Sequence, residues 1–163
     1  NNIIITAGGA SVGDEDHLIN ALSSLGNIFF WRAAIKPGRP IAFGKINNCY
    51  VICLPGNPVS VQLLYAMLIK PLIEKLSGGN FKLPNSNKIV ANFSMKKKTQ
   101  RMEWLRIIKK TINNQDVAIK YPKQGSGMIS SVSYSDGIIE INEDISEVKK
   151  GDIFNYYDFE TLF

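Results

Sequence analysis

The stretch Leu54-Pro55-Gly56-Asn57-Pro58-Val59-Ser60 constrains the fold more than any other. An apolar run from Tyr50 to Leu54 precedes it, and a long apolar run to Leu76 follows. This pattern predicts a buried strand, a tight turn and a buried helix, with Asn57 as N-cap and Pro58 as the first helical residue. Pro55 and Gly56 make the turn and let the backbone approach a ligand closely. The free N–H groups and partial positive charge of a helix start suit a phosphate or another oxyanion, and Ser60 adds a hydroxyl. A well-capped turn with no ligand fits the same residues, so the neighbouring segments carry the decision.

A similar unit opens the chain. Residues 2–6 read as a fully buried strand, followed by Ala7-Gly8-Gly9-Ala10-Ser11-Val12-Gly13-Asp14-Glu15-Asp16. Asp14 is placed to cap a helix whose Leu18, Ile19, Leu22 and Leu25 share one face, with Gly26 closing it. Two strand–loop–helix units predict an α/β topology. Asn27 to Ile35 reads as a third extended segment. Lys36-Pro37-Gly38-Arg39-Pro40 then forms a stiff loop presenting positive charge. Ile41–Gly44 and Cys49–Leu54 read as a hairpin across Asn47-Asn48. The helix from Pro58 to Leu76 is apolar nearly all round, and Pro71 should kink it.

Ser77-Gly78-Gly79-Asn80 marks a domain boundary, giving domains 1–79 and 80–163. Beyond it the hydrophobic period becomes two. Lys88–Met95, Glu103–Thr111, Asp116–Tyr121, Gly137–Ile141 and Asp152–Tyr157 read as strands of a small barrel or sandwich without a helix.

The length of 163 residues allows one domain or two small ones. The apolar stretches are too short or too interrupted to span a bilayer. Asn1 to Thr6 has no leader character and reads as a strand already under way, as in a piece of a longer protein. The net charge of +5 is not gathered in one stripe with interleaved aromatics, so nucleic acid is not expected; an anionic small substrate is. The densest cluster, Lys96-Lys97-Lys98, reads as a solvated loop or strand end. Cys49 and Cys53 face one side of a strand about 13 Å apart, too far for a disulfide. They read as reduced thiols of a cytoplasmic protein. His17 cannot build a zinc site with them.

Several segments together resemble the MoeA-type molybdopterin molybdenumtransferases, which are similar to the E domain of gephyrin. They are Thr6 to Asp16, Lys36 to Pro40, Leu54 to Ser60, Arg101-Met102-Glu103-Trp104-Leu105-Arg106, Gln124-Gly125-Ser126-Gly127-Met128-Ile129-Ser130-Ser131 and Ser135-Asp136-Gly137-Ile138-Ile139. Each is weak alone; in this order, across both halves, they are specific. Val12 stands where the family usually has methionine, and Arg39 where it commonly has lysine.

The resemblance implies part of a molybdopterin-binding, MogA-like three-layer α/β domain followed by a small all-β barrel. It implies insertion of molybdenum from molybdate into adenylylated molybdopterin, with release of AMP and Mg²⁺ assisting. Asp14, Asp16, Lys36 and Arg39 would be catalytic, with Asp14 and Asp16 holding the metal. Gly8, Gly9, Ser11, Gly56, Asn57, Pro58 and Ser60 would bind the pterin substrate. Lys36, Arg39, Pro40, Arg101, Arg106 and Ser126 would bind molybdate, a dianion that wants cations, hydroxyls and N–H groups. Alternatively, Arg101, Glu103 and Arg106 form surface ion pairs. A homodimer is implied for the full-length protein. Competing readings are an adenylyltransferase-like pterin-binding protein and a non-catalytic scaffold fragment.

Overall fold

The structure is a computed structural model that describes residues 2–10 and 17–163. In the first half, β1 (Ile3–Ala7), β5 (Cys49–Leu54), β4 (Ala42–Ile46) and β2 (Asn27–Trp31) form one sheet in the order β1-β5-β4-β2. β1 lies parallel to β5, while β4 is antiparallel to both β5 and β2. The hairpin turns at Asn47, whose φ of 51° suits asparagine.

Strand alternation gives β5 two buried faces. Val51 and Cys53 meet Ile19 and Leu22 of α1 (His17–Leu25). Ile52 and Leu54 meet Val59, Leu63 and Leu64 of α2 (Pro58–Leu64). The result is the expected helix–sheet–helix layering. Cys49 and Cys53 are free thiols, and burial raises the pKa of Cys53.

Three local expectations are corrected. Strand β1 is not fully buried: Ile4 and Ile5 are exposed on this edge strand. The extended segment from Asn27 does not run on to Ile35, because Arg32 turns into the left-handed region at φ 69°. A separate two-residue strand, β3 (Ile35–Lys36), follows. The long helix is not simply kinked at Pro71. A π-helical turn over Tyr65–Ile69 separates α2 from α3 (Lys70–Leu76). Proline has no N–H to donate one turn back. The wider turn resets the ladder, so Pro71 falls in the first turn of a new segment, where that donor is not needed.

The second half contains β6 (Asn87–Ala91), β7 (Met95–Lys96), β8 (Met102–Ile112), β9 (Gln115–Lys120), β10 (Gly137–Ile141), β11 (Glu147–Val148) and β12 (Ile153–Asp158). Pairing runs β10-β12-β6-β9-β8 and closes through β8–β10, which decides for a barrel over a sandwich. Ile89, Leu105, Ile107, Ile139, Ile141 and Phe154 fill it. Asn113 and Asn114 both take positive φ between β8 and β9, as a two-residue type I′ turn requires. The segment expected as one strand over 88–95 divides between β6 and β7, and β7 pairs with β11. Two short helices, α4 (Ser130–Ser133) and α5 (Phe159–Leu162), also interrupt the second half.

The two halves interlock. β3, from the first half, adds to the barrel sheet beside β8, with Ile35 opposite Met102 and Lys36 opposite Glu103. Trp104, Ile138, Tyr157 and Leu162 on the barrel exterior share a core with Ile41, Ile52, Leu64 and Met67.

Candidate functional site

The carboxyl ends of the parallel strands β1 and β5 lie side by side, where open α/β sheets bind ligands. Gly8 donates its N–H to the Leu54 carbonyl at 3.0 Å. Its φ of 96° needs glycine. Gly56 comes against it closely enough that a Cβ there would lie 3.8 Å from the Gly8 Cα. Gly9 packs on Leu18, and the Trp31 indole N–H ties Ala10 to β2 at 3.2 Å. Ser11, Asp14 and Asp16 lie outside the described residues.

At the start of α2, Asn57 occupies the N-cap position, yet its side chain makes no capping bond. The Val59 N–H donates to the Ser126 carbonyl at 3.2 Å. Pro58 has no N–H, and Ser60 is buried. The first-turn donor that the sequence offers to an anion is therefore taken by the barrel. Ser126 meets the first half here, through its backbone. With no cap bond to lose and an exposed side chain, Asn57→Ala should change unfolding free energy by less than about 0.5 kcal/mol. Urea denaturation measures this, and a loss near 1 kcal/mol would reveal a cap that forms in solution.

The cations gather elsewhere, at the seam. A cleft of about 310 Å³ is lined by Arg32, Arg39, Lys98 and Arg101, together with Ala33, Ala34, Ile35, Thr99 and Gln100. Its first wall is a compact turn. Arg32 donates to the Ile41 carbonyl at 2.9 Å, and the Arg39 carbonyl accepts from Ala33 and Ile41, each at 3.0 Å. Gly38, at φ 114°, presses its backbone on Leu64, leaving no room for a side chain. The second wall joins the first where the Met102 N–H donates to the Ala34 carbonyl at 2.8 Å. The Arg32 guanidinium stacks 4.5 Å from the Trp31 ring centre. Arg101 Nε is buried without a protein partner.

Other predicted cations are engaged with the protein. Lys36 Nζ donates to Glu103 at 2.8 Å, and Glu103 is only 4% exposed, so this is a half-buried pair rather than a surface one. Arg106 is 2% exposed and lies among protein acceptors, away from the cleft lining. Its Nε donates to Ser131 Oγ at 3.2 Å and its Nη2 to the Gly125 carbonyl at 3.3 Å, with a longer contact to the Trp104 carbonyl. Burial pushes its pKa down to about 10, with Glu103 opposing, so it stays charged at neutral pH. Gln124 completes this arrangement by bonding both backbone groups of Arg106.

Sequence reasoning missed Arg32 and the wall from Lys98 to Gln100. Arg32 stands alone at a strand end, and Lys98 was hidden in a cluster read as solvated. Lys97 of that cluster is instead buried, at 8% exposure.

A layered α/β unit with glycine turns at its strand ends, joined to a barrel that completes a cationic cleft, defines a two-part protein suited to an anionic ligand. Comparisons with known proteins match both halves of the chain. Residues 1–75 match the family described as "Probable molybdopterin binding domain", and residues 88–159 match the "MoeA C-terminal region (domain IV)". The chain is 33% identical over 163 residues to the molybdopterin molybdenumtransferase of Haemophilus influenzae, covering 99% of this chain and 40% of that protein. It is 35% identical over 97 residues to gephyrin of Dictyostelium discoideum, covering 50% of this chain and 14% of that one. The molybdopterin biosynthesis MoeA protein of Pyrococcus horikoshii superposes with a TM-score of 0.75 at 25% identity, over 97% of this chain and 37% of that one. Residues 1–75 thus belong to the molybdopterin-binding domain family and residues 88–159 to that of the MoeA C-terminal region, and the chain spans well under half the length of these relatives.

Proposed function

We propose that this chain forms part of the site at which molybdenum passes from molybdate to adenylylated molybdopterin, with AMP leaving. The observation that carries this reading is the seam cleft, where Arg101 has a buried, unpartnered Nε beside Arg32, Arg39 and Lys98. Molybdate is a tetrahedral dianion, and guanidinium groups bind such oxyanions through paired N–H donors. Arg39 and Arg101 hold it from the two walls, with Arg32 and Lys98 adding positive charge. Lys36 and Pro40 shape the first wall. Ser126 belongs to the loop that seats on α2, outside this ligand set. Arg106 belongs behind it, since its donors are already used within the protein.

The glycine turns at Gly8, Gly9 and Gly56, with the exposed Asn57 and Pro58, would face the pterin and its phosphates, and Ser11 would join them, while the buried Ser60 supports the turn from behind. Two carboxylates two residues apart suit a hard divalent cation, so Asp14 and Asp16 would hold Mg²⁺. Bound there, that ion would offset charge on the phosphoanhydride. Among the described residues no other group of histidine, cysteine and acidic side chains gathers to hold a metal. No helix of the described residues is long and apolar enough to cross a membrane. We place the whole protein in the cytoplasm, as a homodimer.

Tungstate is a heavier stand-in for molybdate with the same shape and charge. Crystals of the chain soaked in tungstate should give an anomalous peak between Arg39 and Arg101. A peak elsewhere, with none in the cleft, would overturn the assignment.

A further inference from the structure

The barrel-side wall of the cleft, residues 98–101, is a turn with little structure of its own. Gln100 within it takes the left-handed conformation at φ 64°, which a glutamine rarely adopts. Neighbouring chain holds it there. The Gln100 N–H donates to the Glu143 carbonyl at 2.9 Å, and the Lys97 N–H donates to the Ser146 carbonyl at 2.8 Å.

Between these two backbone bonds lies the ammonium of Lys97. Nζ donates to the carbonyls of Asn142 at 2.7 Å, Ile145 at 3.1 Å and Lys98 at 3.3 Å. Those contacts use all three ammonium protons. Among the described residues, no carboxylate lies within ion-pair distance of Lys97. Burial lowers its pKa, Glu103, Asp144 and Glu143 oppose that from farther away, and Arg101 adds to it. Burying a charge on neutral acceptors alone is costly, and a lysine with no task here would extend its head to water. The residues on either side, Lys96 and Lys98, are exposed.

We propose that Lys97 is a positioning residue of the oxyanion cleft. Its ammonium ties the turn at 142–145 to the turn at 98–101, and so fixes Lys98 and Arg101 in the cleft with Arg32 and Arg39. Lys97 does not line the cleft. The proposal rests on the oxyanion reading given above.

The test compares the wild-type chain with Lys97→Met, and with Lys97→Gln as a milder replacement. Amide hydrogen exchange and titration with molybdate are measured on each. Exchange at the Gln100 amide should quicken at least tenfold while Leu105 and Ile107 in the barrel keep their protection. Molybdate affinity should fall about tenfold. Unchanged exchange at Gln100 overturns the proposal. Faster exchange throughout the barrel, or failure of both variants to fold, overturns it too, because Lys97 would then serve the whole fold. A loosened turn that still binds molybdate as before has the same consequence. If the wild-type chain binds no molybdate, it is the oxyanion reading that fails, and the exchange data alone decide whether Lys97 fixes the turn.

Discussion

Arg106→Ala is expected to lower the free energy of unfolding by about 3–4 kcal/mol. The side chain is almost completely enclosed, and its strongest donations go to Ser131 Oγ and the Gly125 carbonyl. Truncation strands these acceptors, at about 1–3 kcal/mol each, and leaves a cavity. Removing a desolvated charge returns part of that loss, which keeps the figure below the simple sum. Arg106→Lys should rescue little, because an ammonium cannot present the planar fork that reaches acceptors on different sides. Damage should spread to the 124–126 loop and so to the Ser126 carbonyl that holds the start of α2. Urea denaturation with an unchanged m-value measures the effect. A loss under about 1 kcal/mol would mean that water replaces the guanidinium without penalty.

The double replacement Arg39→Ala, Arg101→Ala is expected to weaken molybdate binding about a hundredfold or more. Hydrogen bonds to charged groups contribute about 1.5–3 kcal/mol each, and each 1.4 kcal/mol is tenfold in affinity. Arg101 should carry the larger share, because its Nε is already out of water and unpaired. Arg39 is exposed, so truncating it should matter little to the fold. Isothermal titration at two salt concentrations separates the contributions. Added salt should weaken binding to the wild-type chain and matter less to the double variant. A change of less than threefold would move the site away from this cleft.

Features set by neighbours in sequence were legible before the structure. The β5–turn–α2 unit, the Asn47-Asn48 hairpin and β10 each carry their signal in period and turn residues, and each appears with nearly the expected bounds. Features set by distant chain were not. Nothing local tells that Ile35 and Lys36 will pair with Met102 and Glu103. Nor does three lysines in a row say which one turns inward, since that depends on carbonyls from 142 and 145 meeting it. Arg106 lies on a strand whose inner and outer faces are both covered, one by the barrel and one by the shared core. Alternation therefore could not mark it as exposed. Asn57 has the right type for a cap, but the Ser126 carbonyl reached the helix start instead. The cleft was half legible: Arg39 and Arg101 stood out by motif, Lys36 from the same motif pairs with Glu103 instead of lining the cleft, and Arg32 acquired its place only through the fold.

The pairing of β3 with β8 bears on how a bulky substrate can enter. A short linker between two folded units invites the picture of a jaw that swings. Here the would-be jaw is stitched to its base beyond the linker, by the Ile35–Met102 and Lys36–Glu103 ladder and by the Met102 donation to Ala34. Opening the seam there would break backbone bonds and pull Trp104 and Tyr157 out of the shared core. Access to the cleft is therefore governed by side chains on its rim, chiefly the exposed Arg32, Arg39 and Lys98, while the bodies on either side stay docked.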